Sequence, residues 1–255
     1  MTTRTGQRGV GPLLRDWRGR RRMSQLDLAT SAEVSTRHLS YVETGRSTPS
    51  RELIIHLATH LDVPHREQND LLLAAGYAPA YSELGLTSPT MRPVVATLES
   101  MLEAMEPNPT LVMDRHWNLV MANESAFAWT RLVAPELLGP PLNVIRMTLH
   151  PDGLASAIDD LDEVAAHLVH RLRRQLGVTG DPVIADLLAE AESLVTTTVD
   201  PVDFPNADAA IEVRLTVDGE VRQYLSVVST FGTALDVTAS ELVIETFFDV
   251  TDRRT

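Results

Sequence analysis

The planar fork of Arg37 can pair with the O6 and N7 of a guanine, a match worth roughly 1–3 kcal/mol of discrimination against a wrong base. Thr36, Ser40 and Tyr41 lie one, three and four residues from it, so on a helix all four side chains share a face. Thr36 and Ser40 can donate, accept or touch a thymine methyl. Gln25 follows Ser24 at the first position of an expected helix, where a side-chain amide suits a phosphate. Arg46, just beyond Gly45, belongs to the rim that meets a nucleic-acid backbone. These residue types recognise bases and phosphates; they do not make or break bonds.

Two short helices must present them. Ser24 and Ser35 are N-caps, and Leu26, Leu28, Ala29, Val34, Leu39 and Val42 recur at spacings that bury one face of a helix pair, with no Gly or Pro inside either helix. Gly45 ends the second helix and Ser50 caps the next. Upstream, Leu13, Leu14 and Trp17 form the inward stripe of a first helix, which carries Arg18 into reach of Glu43, and an Arg18–Glu43 ion pair is expected. Charge agrees with a nucleic-acid partner. Residues 1–51 hold ten Arg against four acids, a net of +6, whereas the whole chain carries −13, so the other 204 residues carry −19. A basic head is joined to an acidic body that DNA would repel, which confines contact to the head.

Other chemistry has little to stand on. There is no Cys, which removes disulfides and thiol catalysis, and no Lys, which removes Schiff bases. His56 and His60 stand four apart without a third ligand, and His167 and His170 are candidates for a pocket or for solvent. No phosphate loop, nucleophile elbow or Ser/His pair is present, so neither an enzyme nor a metal site is expected. No apolar run reaches the roughly 18 residues of a membrane span, and the N-terminus lacks the apolar core of a signal peptide. The expected compartment is the cytoplasm.

Along the chain, a fourth helix covers about Ser50–Leu61, Pro64 opens a fifth that closes at Gly76, and residues 77–92 read as a linker rich in Pro, Ser and Thr. Val94, Val95, Leu98, Met101, Leu102 and Met105 make one helical face, a connector or a dimer seam. The period then changes to strands: TLVMD, a turn at Arg115-His116, and WNLVMA, with a helix from Asn123. A long helix begins among Asp159, Asp160, Asp162 and Glu163 and is expected to end near Arg171, Arg173 and Arg174, the order the helix dipole favours. Another starts at Asp181-Pro182. Ile211, Val213, Leu215 and Val217 alternate up to an Asp218-Gly219 hairpin turn, Val221, Leu225 and Val227 continue beyond it, and a last strand covers about Glu241–Val250.

The segment LLRDWRGRRRMSQLDLATSAEVSTRHLSYVETGRSTPSRELIIHLATHLDV resembles the Cro/phage-repressor, or XRE-type, helix-turn-helix. The resemblance implies an all-α, five-helix, lambda-repressor-like domain over residues 1–76, acting as a dimer on an operator in double-stranded DNA. It places Gln25 on phosphate, Ser35 at the start of the recognition helix, and Thr36, Arg37, Ser40 and Tyr41 in the major groove, and it too implies the Arg18–Glu43 pair. A second resemblance lies in LVMDRHWNLVMANESAFAWTRL and the elements after it, which look like a PAS domain and, behind such a head, like the MmyB-like regulator ligand-binding domain. It implies an α+β domain over residues 93–255, a five-stranded antiparallel sheet with helices on one side, and a small apolar effector such as a fatty acid. Met121, Phe127, Leu168, Phe231 and Phe247 are then candidates to line a cavity, together with Met113, Ile145 and Met147. Arg146, His150 and Arg171 would meet an acidic head group. The rival reading is a ligand-free body that serves for dimerisation or protein docking.

Overall fold

The computed structural model describes residues 9–195, 211–217, 219–231 and 236–252. The chain divides into two compact units, one built essentially of residues up to Glu83 and the other of the remainder.

The first unit holds five helices: α1 (Val10–Arg20), α2 (Gln25–Ser31), α3 (Thr36–Glu43), α4 (Arg51–His60) and α5 (His65–Ala74). Their starts are written in side-chain hydrogen bonds. Ser24 and Asp27 form a reciprocal capping box at α2, Ser35 Oγ accepts from His38 N at 3.1 Å, and Ser50 Oγ accepts from Leu53 N at 3.2 Å. Gly45, at φ 71°, turns the chain out of α3. Leu14, Leu28, Leu39, Ile54 and Leu57 fill the core. Leu26 does not join them and is 63% exposed. Two helical residues apart means about 200° around the axis, so Leu26 cannot share the face that buries Leu28. At the crossing of α1 and α3 a Cβ on Gly11 would stand 2.3 Å from the Val42 carbonyl oxygen, so only glycine fits that approach. Residues 77–83, expected to be linker, pack on this unit. Tyr77 Oη donates to Pro49 O at 3.1 Å, the Tyr81 ring stacks on His65, and Asn69 bonds the backbone of Ala80 and Tyr81.

The second unit opens with α6 (Arg92–Met105) and continues through β1 (Thr110–Met113), β2 (Leu119–Ala122), α7 (Glu124–Phe127), α8 (Val144–Leu149), α9 (Leu161–Thr179), α10 (Pro182–Leu194), β3 (Ile211–Val217), β4 (Glu220–Thr230) and β5 (Val243–Asp249). The strands form one antiparallel sheet in the order β2-β1-β5-β4-β3, the architecture expected. Helices cover both faces, not one. Leu111 and Met113 point into the core built with α8, α9 and α10, while Val112 and Ile244 point the other way, onto Leu98 and Leu102 of α6. Helix α6 therefore has a sheet face to cover.

Three further expectations shift. Helix α9 runs past Arg173 and Arg174 to Thr179 and stops at Gly180, φ 62°, so those arginines sit inside the helix and its last turn has no cation. The Asp218 half of the hairpin turn lies outside the described residues, but Val217 pairs with Glu220, which sets Tyr224 opposite Val213. Tyr224 and Ser226 are thus the buried residues of β4, and Val221 is 51% exposed: the apolar stripe of that strand faces the α6 side. Strand β5 begins at Val243, two residues after the expected start.

Candidate functional site

In the first unit the Ser35 cap starts α3 so that Thr36, Arg37, Ser40 and Tyr41 come to one face, with Leu39 and Val42 buried on the other. Arg37 is exposed, and Thr36, Ser40 and Tyr41 are half-buried at its flank. Arg37 Nε donates to Tyr41 Oη at 3.1 Å. Arg46 is exposed just past the helix, its backbone N–H bonded to Tyr41 O at 2.8 Å. His38 and Thr44 are exposed as well, and sequence reasoning passed over both; Thr44 lies one turn beyond Ser40 and donates to its carbonyl at 2.7 Å.

Behind that face lies a buried carboxylate. Glu43 is only 5% exposed, and its oxygens accept from Arg18 Nε at 2.7 Å, Arg18 Nη2 at 2.8 Å and Gln25 Nε2 at 2.7 Å. Arg18 Nη1 also donates to Met23 O at 2.8 Å. Burial pushes the Glu43 carboxyl up, but the hydrogen bonds from Arg18 and Gln25, with the charges of Arg18 and Arg15, more than offset it and hold the group below the ordinary glutamate value. The Glu43 hydrogen bond raises Arg18 in turn. One clamp thus joins the end of α1, the start of α2 and the end of α3. An amide nitrogen carries two hydrogens, so the Glu43 bond leaves Gln25 one donor for a phosphate.

In the second unit the expected pocket residues do not converge. Leu168 and Phe247 pack in the core between sheet and helices, whereas Met121, opposite Val112 in the sheet, and Phe231 pack on the α6 side. Phe127 is 63% exposed, one residue past the buried Ala126. Arg146 is held by Glu190 in a bidentate pair, both bonds at 2.7 Å, on the exposed surface. His150 Nδ1 accepts from Asp152 N at 3.1 Å. Met113, Ile145 and Met147 are fully packed core. A cleft of about 100 Å³ opens between α6 and the sheet, among Met101, Met105, Val227 and Phe248, and none of the expected residues lines it.

Arg171 is placed differently. Its guanidinium lies 4.5 Å over the Trp117 ring, and its Nη1 reaches Glu245 Oε2 at 3.3 Å. Glu245, 6% exposed, also accepts from Ser226 Oγ at 2.5 Å. Trp117 stands at φ 65° in the β1–β2 turn and donates from its indole to Gln175 at 2.9 Å. Sequence reasoning missed Trp117, Ser226 and Glu245. The available signal was a charge at an inward position, since Val243, Glu245 and Phe247 must share a strand face.

The remaining histidine candidates find ordinary roles. His56 Nε2 lies 2.8 Å from Ala32 O, and His167 is buried in α9. Among the described residues no group of three His, Asp or Glu could hold a metal, and no helix is long and apolar enough to cross a membrane.

A helix-turn-helix family model matches residues 10–71. A second, the MmyB-like transcription regulator ligand binding domain, matches residues 94–255. Similar solved structures include the PAS domain from Bordetella pertussis BvgS, 18% identical over 62% of this chain and 89% of that one, with a TM-score of 0.29. Another is an RNA-binding light-oxygen-voltage receptor, 13% identical over 96% of this chain and 60% of that one, at a TM-score of 0.28. No curated protein matches the chain.

Proposed function

The chain belongs to the family of the MmyB-like transcription regulator ligand binding domain, behind a helix-turn-helix head, and on that premise we propose that it is a sequence-specific, dimeric regulator whose body answers to a small molecule. A DNA-binding transcription regulator is the coarse function, and regulator and ligand-binding families are not enzyme families. The observation that carries the finer reading is the face of α3: Thr36, Arg37, Ser40 and Tyr41 side by side on a helix whose far end is clamped through Glu43. A reading helix must not turn when a base pushes back, and a buried bidentate ion pair supplies that rigidity. The partner is operator DNA with two half-sites, each read by the head of one protomer.

The effector reading rests on the body. What supports an acidic, apolar effector is Arg171, stacked on Trp117 beside the apolar core and bonded to Glu245 through one donor, whereas Arg146 is already neutralised by a bidentate pair with Glu190. A fatty-acid-like molecule would have to open that packed core to bring its acidic head to Arg171. Such a ligand regulates only if it binds two states of the protein unequally. Selection of duplexes from a random pool by the full chain, followed by titration with and without extracted lipids, tests both halves. Arg37→Ala relaxes the preference at one or two base pairs, and Arg46→Ala weakens all sites evenly. No preference over random duplex at low ionic strength overturns the reading. Solvent extraction of the purified protein and mass spectrometry show whether an apolar acid travels with it.

A second reading, a ligand-free body that dimerises or docks a protein, is favoured by one observation. The α6 cleft, at about 100 Å³, is smaller than the roughly 300–1,000 Å³ of ordinary ligand pockets. An empty extract and no shift of melting temperature with any apolar acid would select it.

A further inference from the structure

Resting on the assignment of α3 as the reading helix, we infer that Tyr41 acts on DNA through Arg37, as a positioning residue, and does not read a base of its own. The two are four residues apart on α3, where helix geometry brings side chains one above the other. Arg37 Nε donates to Tyr41 Oη at 3.1 Å, and the guanidinium carbon lies 5.4 Å from the centre of the Tyr41 ring. A guanidinium has two edges with which to meet a guanine: the side edge, made by Nε and one Nη, and the end edge, made by both Nη groups. The phenol oxygen occupies Nε. Only the end edge then remains for the O6 and N7 of a guanine, and it projects along the axis set by the tyrosine.

Tyr41 is suited to the role because it is itself held. Its side chain is half-buried and has two rotatable bonds where arginine has four, and its carbonyl accepts from the backbone N–H of both Arg46 and Ser47, at 2.8 and 3.1 Å. Among the described residues Arg37 makes no hydrogen bond to a carboxylate, so neutralisation does not compete with base reading.

The test uses the full-length chain and the operator selected by the unaltered protein, with each base pair changed in turn. Tyr41→Phe keeps the ring and removes the hydroxyl. It is expected to lower discrimination roughly three- to tenfold, the scale of one ordinary hydrogen bond, at the same base pair where Arg37→Ala abolishes it. Melting temperature checks that the fold is intact, and the loss of discrimination is confined to that base pair. In an Arg37→Ala background, Tyr41→Phe adds nothing at that base pair. The inference is overturned if Tyr41→Phe has no effect on discrimination, acts at a different base pair, or keeps its full effect without Arg37, for the tyrosine then reads DNA itself or not at all. If Arg37→Ala changes no base preference, the parent assignment of α3 falls first and takes the inference with it.

Discussion

Each unit of this protein buries one glutamate against an arginine, and the two are satisfied to different degrees. Glu43 in the head accepts three strong hydrogen bonds, two of them the parallel pair from Arg18. Glu245 in the body takes a single 3.3 Å contact from Arg171, with Ser226 supplying the shorter bond. Their exposures, 5% and 6%, are nearly equal, so burial does not distinguish them. Saturation does. A bidentate pair with both carboxylate oxygens engaged holds three helices in one arrangement, as a surface that reads DNA requires. An arginine with donors to spare, stacked on an indole, can exchange its partner for an incoming carboxylate.

The largest break in that contrast comes from Glu43→Ala, which strands Arg18 and should cost the head about 3 kcal/mol, read as a lower denaturant midpoint of the helical unit. A loss below about 1 kcal/mol would show that the clamp does not hold the helices. Gly11→Ala attacks the same frame from the backbone, because its methyl would meet the Val42 carbonyl. Roughly 2 kcal/mol is expected, together with weaker DNA binding on every sequence as α1 and α3 are forced apart.

Acid should undo the Glu43 clamp. The folded-state pKa of Glu43 is depressed, so its contribution is fully present above the unfolded value near 4.5 and is lost as pH falls through the lower folded value. Melting temperatures of the unaltered chain and of Glu43→Gln, followed from pH 6 downward, should converge in that window; parallel curves would assign the acid sensitivity to other groups. In the body, Arg171→Gln should cost about 1–2 kcal/mol by leaving Glu245 without a cation, and should abolish retention of an acidic ligand. The smallest effect is Arg146→Gln, which opens an exposed pair worth less than about 1 kcal/mol and leaves ligand retention intact. Equal effects of the two arginine substitutions on retention would erase the distinction between them.

The shared face of Thr36, Arg37, Ser40 and Tyr41 and the Arg18–Glu43 pair are legible in the sequence, but the Gln25–Glu43 bond is not, since Gln25 is expected there to face a phosphate. Ser24, Ser35 and Ser50 announce helix starts, and an apolar period near four residues orients Thr36, Arg37, Ser40 and Tyr41 away from Leu39 and Val42. Leu26 is apolar yet exposed because, on a helix of seven residues, its angle and not its type sets which face it takes. The strands of the body were found for the same local reason, by alternation and turn chemistry. Their facing was not. Met121 and Leu168 both looked like pocket lining, yet a one-residue change of parity in a strand moves a side chain to the opposite side of the sheet.

Sequence alone determined what is local: where most helices begin, which helical face of the head stays polar, how charge divides between head and body, and the order of elements that form the sheet. Tertiary structure decided whatever depends on residues far apart in the chain. It chose Glu190 for Arg146 and Glu245 for Arg171, set α6 on the second face of the sheet, and required a glycine where α1 meets α3. The physical reason is range. Caps and periods act within a turn or two of backbone, whereas strand parity and ion-pair choice are settled when surfaces from distant segments exclude water together, and no short stretch of sequence contains both surfaces.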